Sequence, residues 1–154
     1  MYNLTRNNFI QEKIMKIYTQ QEIEAMGFSP APEVYFTGKA WLKNYVFPDE
    51  NTDAYIGEVM FAPGTRNNWH THGSNQILLV REGICYYQEE GSPIQKIEAG
   101  GFVNIMPGIK HWHGASPEGV MIHTAIGINA EKGLVNWMEP VTDQVYNEAV
   151  PNPS

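Results

Sequence analysis

From Val34 onward the chain is a succession of short β-type runs separated by Gly, Pro and Asn, and this punctuation limits it to a sheet architecture. The runs fall at 39–46, 55–61, 76–82, 84–89, 94–98, 102–106, 111–115, 120–129 and 134–138. Between them lie breakers such as Pro63-Gly64, Gly91-Ser92-Pro93, Gly100-Gly101 and Pro107-Gly108. Many short strands at near-regular spacing predict an all-β sandwich or barrel. Ahead of them, Thr19 and Glu22 have the spacing of a capping box and Gly27 is a suitable stop, so one short helix is expected at about 20–26. Pro30 and Pro32 then mark an extended linker. The expected organisation is an N-terminal extension with a helix over 1–33, a barrel over 34–146 and a loose tail over 147–154, with Met15 a candidate natural start. No long helix, tandem repeat or second domain is visible.

Composition narrows the function. At 154 residues the chain is long enough for one packed domain. A net charge of -7 argues against a nucleic-acid partner, which needs basic patches. No apolar run suffices to span a bilayer, and residues 1–18 lack the apolar core of a signal peptide, so a cytoplasmic protein without membrane association is expected. The one cysteine, Cys85, excludes an internal disulfide framework and reads as a small buried hydrophobe.

Chemistry concentrates in the histidines. All five lie between residues 70 and 123. His70 and His72 are one residue apart, so on a strand both point to the same face, and two imidazoles so placed make half of a metal site. His111 and His113 repeat the spacing, and His111, arriving from a separate strand, can complete a site begun by His70, His72 and Gln76. Gly57, Val59 and Phe61 share one face of the strand leading into this segment and are candidates for a substrate-pocket wall.

These motifs resemble those of the cupin superfamily. Gly64, His70-x-His72, Gln76 and Gly83 reproduce the spacing of the first cupin motif. Gly101 through Pro107-Gly108 to His111 resembles the second, one residue short between Pro and Gly and with Phe102 where Asp is usual. The resemblance covers roughly residues 34–140 and implies a double-stranded β-helix, or jelly roll, with a metal inside the barrel. The common motif has Glu where this chain has Gln76. Three neutral imidazoles and an amide leave a divalent ion its whole charge, which makes a stronger Lewis acid.

The segments around 69–80, 111–117 and 121–126 further resemble the small manganese-dependent cupin hydroxynitrile lyases, and cupins related to carboxymuconolactone-decarboxylase-associated proteins. By that resemblance His70, His72, Gln76 and His111 are the metal ligands, His123 is a base near a substrate hydroxyl, and His113 is a second catalytic candidate. It implies a divalent cofactor, manganese foremost, with iron, zinc or nickel also accepting such donors. It further implies a small hydroxy or carbonyl substrate, lyase or proton-transfer chemistry, and a homodimer with 34–47 as a possible contact. A dioxygenase using Fe(II), or a non-enzymatic binding cupin, are the competing readings. Taken without the resemblance, a histidine in an apolar run such as His123 is ordinarily structural, and His113 serves equally as a hydrogen-bonded core residue. Trp112, on the face opposite His111, reads as packing, and Trp41, Trp137, Tyr86 and Tyr87 read as packing between sheets or at a subunit contact.

Overall fold

A computed structural model describes residues 17–133 and 135–149. The proposed start at Met15 and the end of the tail, 150–154, lie outside the described residues. The strands are β1 (Ser29–Pro30), β2 (Phe36–Thr37), β3 (Ala40–Val46), β4 (Ala54–Phe61), β5 (Arg66–Asn67), β6 (His70–Thr71), β7 (Gln76–Glu82), β8 (Ile84–Glu89), β9 (Gln95–Glu98), β10 (Phe102–Ile105), β11 (His111–Ala115), β12 (Met121–Ile128) and β13 (Asn136–Trp137). One sheet runs β1-β3-β4-β12-β7-β10. The other runs β13-β6-β11-β5-β2, with β8 and β9 joined to it through β11. Among the described residues every pairing is antiparallel, and the two sheets face each other as a jelly roll.

Alternation in the sequence decides what each sheet buries. Along β7, Leu78 and Val80 point inward and are buried, while Leu79 and Arg81 point outward. Along β12 the inward set is Met121, His123 and Ala125, all buried, so a histidine stands in a row otherwise apolar. Phe61, Val80, Cys85, Ala115 and Met121 form one core cluster; Leu78, Tyr87, Ile105 and Ala125 form another. Cys85 is fully buried and its thiol is pushed up to about 12 by desolvation, which fits an inert core residue. The link from β7 to β8 turns at Gly83, where φ is +74° and the Val120 backbone lies against the Cα, so no side chain fits.

Among the described residues two short α-helices cover the outside. α1 (Gln20–Ala25) has the expected capping box, with Thr19 Oγ1 accepting from the Glu22 amide and the Glu22 carboxylate accepting from the Thr19 amide. Its Ile23, with Phe28, covers Met60 and Ile122 on the outer face of the first sheet. The sequence reading has no counterpart for α2 (Asp143–Asn147). Thr142 caps it, and Val141 and Tyr146 bury Trp112 and Tyr86 on the outer face of the second sheet. Arg66 fastens this helix. Its guanidinium donates to the Val141 carbonyl at 2.8 and 3.1 Å, pairs with Asp143 at 2.6 Å, and lies over the Tyr146 ring. Trp112 therefore packs outward, as alternation from His111 requires, and its indole N–H donates to Gln88. Among the described residues no helix is long and apolar enough to cross a membrane.

Candidate metal centre and cavity

The pairing of β6 with β11 sets His111 directly across from His70. Their ring centroids are 4.2 Å apart. Each ring is held the same way. His70 Nδ1 donates to the Asn68 carbonyl at 2.8 Å, and His111 Nδ1 donates to the Ile109 carbonyl at 2.8 Å. A carbonyl only accepts, so in both rings the proton is on Nδ1 and the lone pair is on Nε2. A backbone partner on the far nitrogen is the usual means of orienting a metal-binding imidazole.

His72 follows directly after β6, with its ring centroid 5.0 Å from that of His70 and 5.5 Å from that of His111. Gln76, the first residue of β7, lies beside it. His113, two residues along β11 on the same face as His111, comes close enough that ring nitrogens of His70, His111 and His113 all lie within 4.8 Å of one another. The tightest trio thus includes His113, which the sequence reading put in a catalytic role, and His72 stands next to it. His123, on β12, reaches the group through its Nε2, 3.1 Å from His113 Nδ1. All five histidines and Gln76 meet in one region.

Burial holds these rings neutral. Desolvation lowers His72, His111 and His123 from the ordinary 6.5 to about 4, and the neighbouring ring of His111 adds to the effect on His72. His70 and His113 are held well below 6.5 by burial and then by the surrounding histidines. Neutral imidazoles are metal donors at physiological pH. His72 Nε2, His111 Nε2 and Gln76 Oε1 are buried with no hydrogen-bond partner. A buried polar atom left unpaired costs about 1–3 kcal/mol, so three together need a common partner. All three can act as acceptors, and a cation satisfies them at once. The donor set fits a divalent metal ion.

A cavity of about 360 Å³ opens on this cluster. Val59 and Phe61 line it as expected from alternation, with Leu42, Tyr55 and Ala125. Gly57 does not, because the Tyr55 hydroxyl stands 2.6 Å from where a Cβ of Gly57 would sit, and Tyr55 forms the wall there instead. On the other side the wall is aromatic. Tyr35 and Trp137 stack with centroids 4.5 Å apart, and Trp137 lies 4.7 Å from His70. Trp137 is thus a cavity residue, where the sequence reading had it as packing between sheets or at a subunit contact; the pairing of Trp137 with His70 turns it to the site. Asn67, also a lining residue, was missed. Its side chain grips His113 twice, accepting the His113 amide at 2.9 Å and bringing Nδ2 to 3.1 Å from the ring Nε2. Only its position three residues before His70 hinted at a role.

No protein-family model matches the chain. It is 38% identical over 123 residues to an (R)-mandelonitrile lyase of Granulicella tundricola, covering 80% of this chain and 92% of that one. A solved cupin-like protein from Thermotoga maritima superposes with a TM-score of 0.76 at 36% identity, over 81% of this chain and 95% of that one. A cupin 2 conserved barrel domain protein from Rhodopseudomonas palustris, 15% identical, shares the fold at a TM-score of 0.61 over 77% of this chain and 81% of that one. With its jelly roll and its inward histidines, the chain belongs to the cupin family, as a small cupin resembling the hydroxynitrile lyases.

Proposed function

We propose that this protein is a metal-dependent enzyme that cleaves and forms α-hydroxynitriles, with manganese as the resident ion. The observation that carries the proposal is the trio of buried, unpartnered donors, His72 Nε2, Gln76 Oε1 and His111 Nε2, of which His72 and Gln76 line a largely apolar cavity. Kinship to a protein named for mandelonitrile cleavage supplies the substrate class. In the reaction the hydroxyl proton leaves oxygen and the C–C bond breaks, its electron pair departing with cyanide. Cyanide takes up a proton, and the products are an aldehyde and hydrogen cyanide. His70, His72, Gln76 and His111 are the proposed ligands. A divalent ion held by them supplies Lewis acidity that stabilises negative charge on an oxygen.

The chain's own groups do the rest. Leu42, Val59, Phe61 and Ala125 exclude water from one side of the cavity, and Tyr35 and Trp137 present aromatic faces on the other. His123, buried at the cavity wall with Nδ1 unpartnered, exchanges the proton at that atom. His113 holds the far nitrogen of His123, and Phe61 packs against both rings.

The test is elemental analysis of protein purified without added metal, followed by assay on racemic mandelonitrile before and after chelation. Stoichiometric metal and enantioselective release of benzaldehyde, lost on chelation and restored by manganese, are expected. Metal-replete protein that turns over no cyanohydrin, or that consumes dioxygen instead, overturns the proposal.

A further inference from the structure

We propose that Tyr55 is a specificity-determining residue that sets how long a guest the cavity takes: its ring, laid into a notch at Gly57 and latched to Asn44, admits a guest of one aromatic ring and refuses a second ring in line with the first. The inference begins with side chains that are missing. On the inner face of the first sheet β4 places Tyr55 and Gly57, and β12 places Ala125 and Gly127, as alternation requires. Gly127 is paired with Tyr55 on one side and with Gln76 on the other. Neighbouring strands lie about 4.8 Å apart, so the backbones of Tyr55 and Gln76 stand roughly 10 Å apart with only a glycine between them. Among the described residues, a Cβ built at Gly127 would meet only the Cβ of Tyr55, at 3.8 Å. A guest with its oxygen at the Gln76 end of this row lies over Gly127 and points its other end at Tyr55.

Tyr55 can close the row because Gly57 has no side chain. The ring leans along β4 so far that its hydroxyl oxygen is 2.6 Å, and its Cζ 3.0 Å, from where a Cβ of Gly57 would sit. Asn44 on β3 is paired with Gly57. Its Oδ1 therefore lies at the same notch, and it accepts the Tyr55 hydroxyl at 2.6 Å. Desolvation raises the Tyr55 phenol above its ordinary range, so the hydroxyl stays protonated and keeps donating. From outside, the exposed Phe47 meets the ring edge-on, with centroids 6.1 Å apart. The stop is thus a latched side chain, where the strand backbone alone would leave the row open.

The consequence concerns the substrate class and rests on the lyase reading above. A cyanohydrin or aldehyde with a single ring spans the row from Gln76 to Tyr55, and a para-phenyl substituent runs into the Tyr55 ring. Truncating Tyr55 removes the stop and opens the row towards Phe47. Removing the hydroxyl alone leaves the ring unlatched, so discrimination weakens without vanishing.

The test is isothermal titration calorimetry of full-length protein as purified, with benzaldehyde and 4-phenylbenzaldehyde as probes and metal content measured on each sample. Wild-type protein is expected to bind 4-phenylbenzaldehyde on the order of tenfold more weakly than benzaldehyde. In Tyr55→Ala the two affinities are expected to come within about twofold, and in Tyr55→Phe the gap to narrow to about threefold. Wild-type protein that binds both aldehydes equally, or neither, overturns the proposal. So does the full gap retained in Tyr55→Ala at wild-type metal content, or an unchanged gap in Tyr55→Phe, which keeps the ring and its packing. Mandelonitrile is assayed on the same samples. Discrimination in binding without turnover sinks the lyase reading and leaves the role of Tyr55 standing. Turnover of mandelonitrile and its 4-phenyl analogue at equal kcat/KM overturns the role of Tyr55 and leaves the lyase reading standing.

Discussion

His70 and His111 face each other across two antiparallel strands, and each gives its Nδ1 proton to the backbone carbonyl two residues before it. The strand pairing thus produces a matched pair of Nε2 lone pairs without any other side chain. Two overlapping donor sets share this pair. One adds His72 and Gln76; the other adds His113.

Single substitutions separate the two sets. His72 Nε2 lacks a partner, whereas His113 is already held by Asn67 and His123. His72→Ala and His111→Ala are therefore expected to lower metal content at least tenfold, and His113→Phe to retain it. Elemental analysis after dialysis against a weak chelator checks this. Retention in His72→Ala with loss in His113→Phe would assign the ion to the second set.

Gln76 sets the charge of the centre. Gln76→Glu adds a negative charge beside His72 and is expected to hold the ion more tightly while lowering kcat on the order of tenfold, because a less positive ion stabilises oxygen charge less. Chelator competition and steady-state kinetics on one preparation measure the two effects. Higher kcat in Gln76→Glu would show that the full charge is not what the chemistry uses.

The buried rings make the metal-free protein acid-sensitive. His72, His111 and His123 are lowered to about 4 from the ordinary 6.5, and His70 and His113 are also depressed. The unfolded chain thus takes up protons near 6.5 that the folded chain refuses until about 4. Stability is complete above about 6.5 and falls as the pH drops towards 4. Thermal unfolding of chelated protein should show Tm falling steeply between those limits, with the loaded protein resisting the fall until protons displace the ion. A Tm independent of pH over that range would mean that water reaches these rings.

Arg66 is a second concentration of buried polar chemistry, and it is structural. Arg66→Ala frees the Val141 carbonyl and removes the cover from Tyr146, and is expected to cost about 2–3 kcal/mol. Asp143→Ala, by contrast, should cost about 0.5 kcal/mol or less, since the Asp143 side chain is 84% exposed. Denaturant unfolding compares them, and similar losses from the two would mean that the ion pair, not the bonds to Val141, fastens α2.

What the sequence made legible follows from where the information lies. Runs such as 76–82 and 111–115 coincide with β7 and β11 because alternation and flanking glycines are local properties. The two-residue strand β5 is absent from the expected runs, and the strand read at His70 and His72 is only His70–Thr71, because Arg66-Asn67 and His70-Thr71 are polar and are held in strands only through their pairing with β11, β2 and β13. α2 is five residues with one cap, and its burial depends on Trp112, far earlier in the chain. The histidine spacing pointed to the site. The parts of Asn67, Tyr35 and Trp137 arise only when distant strands meet, and no local pattern in the sequence records them.

The Tyr35–Trp137 stack gives the cavity a specificity element that can be tested apart from metal binding. It joins the segment before β2 to β13, and Phe36, in edge contact with Phe61, continues the aromatic lining. A flat apolar guest gains most against such a wall, by edge or offset stacking worth about 0.5–1.5 kcal/mol beyond its buried area. Trp137→Ala is therefore expected to raise KM for an aryl cyanohydrin on the order of tenfold, to leave KM for a short aliphatic one within about twofold, and to change kcat little. Because Trp137 also lies 4.7 Å from His70, metal content is measured on the same sample. Equal losses for aryl and aliphatic substrates at full metal occupancy would show that Trp137 shapes the cavity without discriminating between guests.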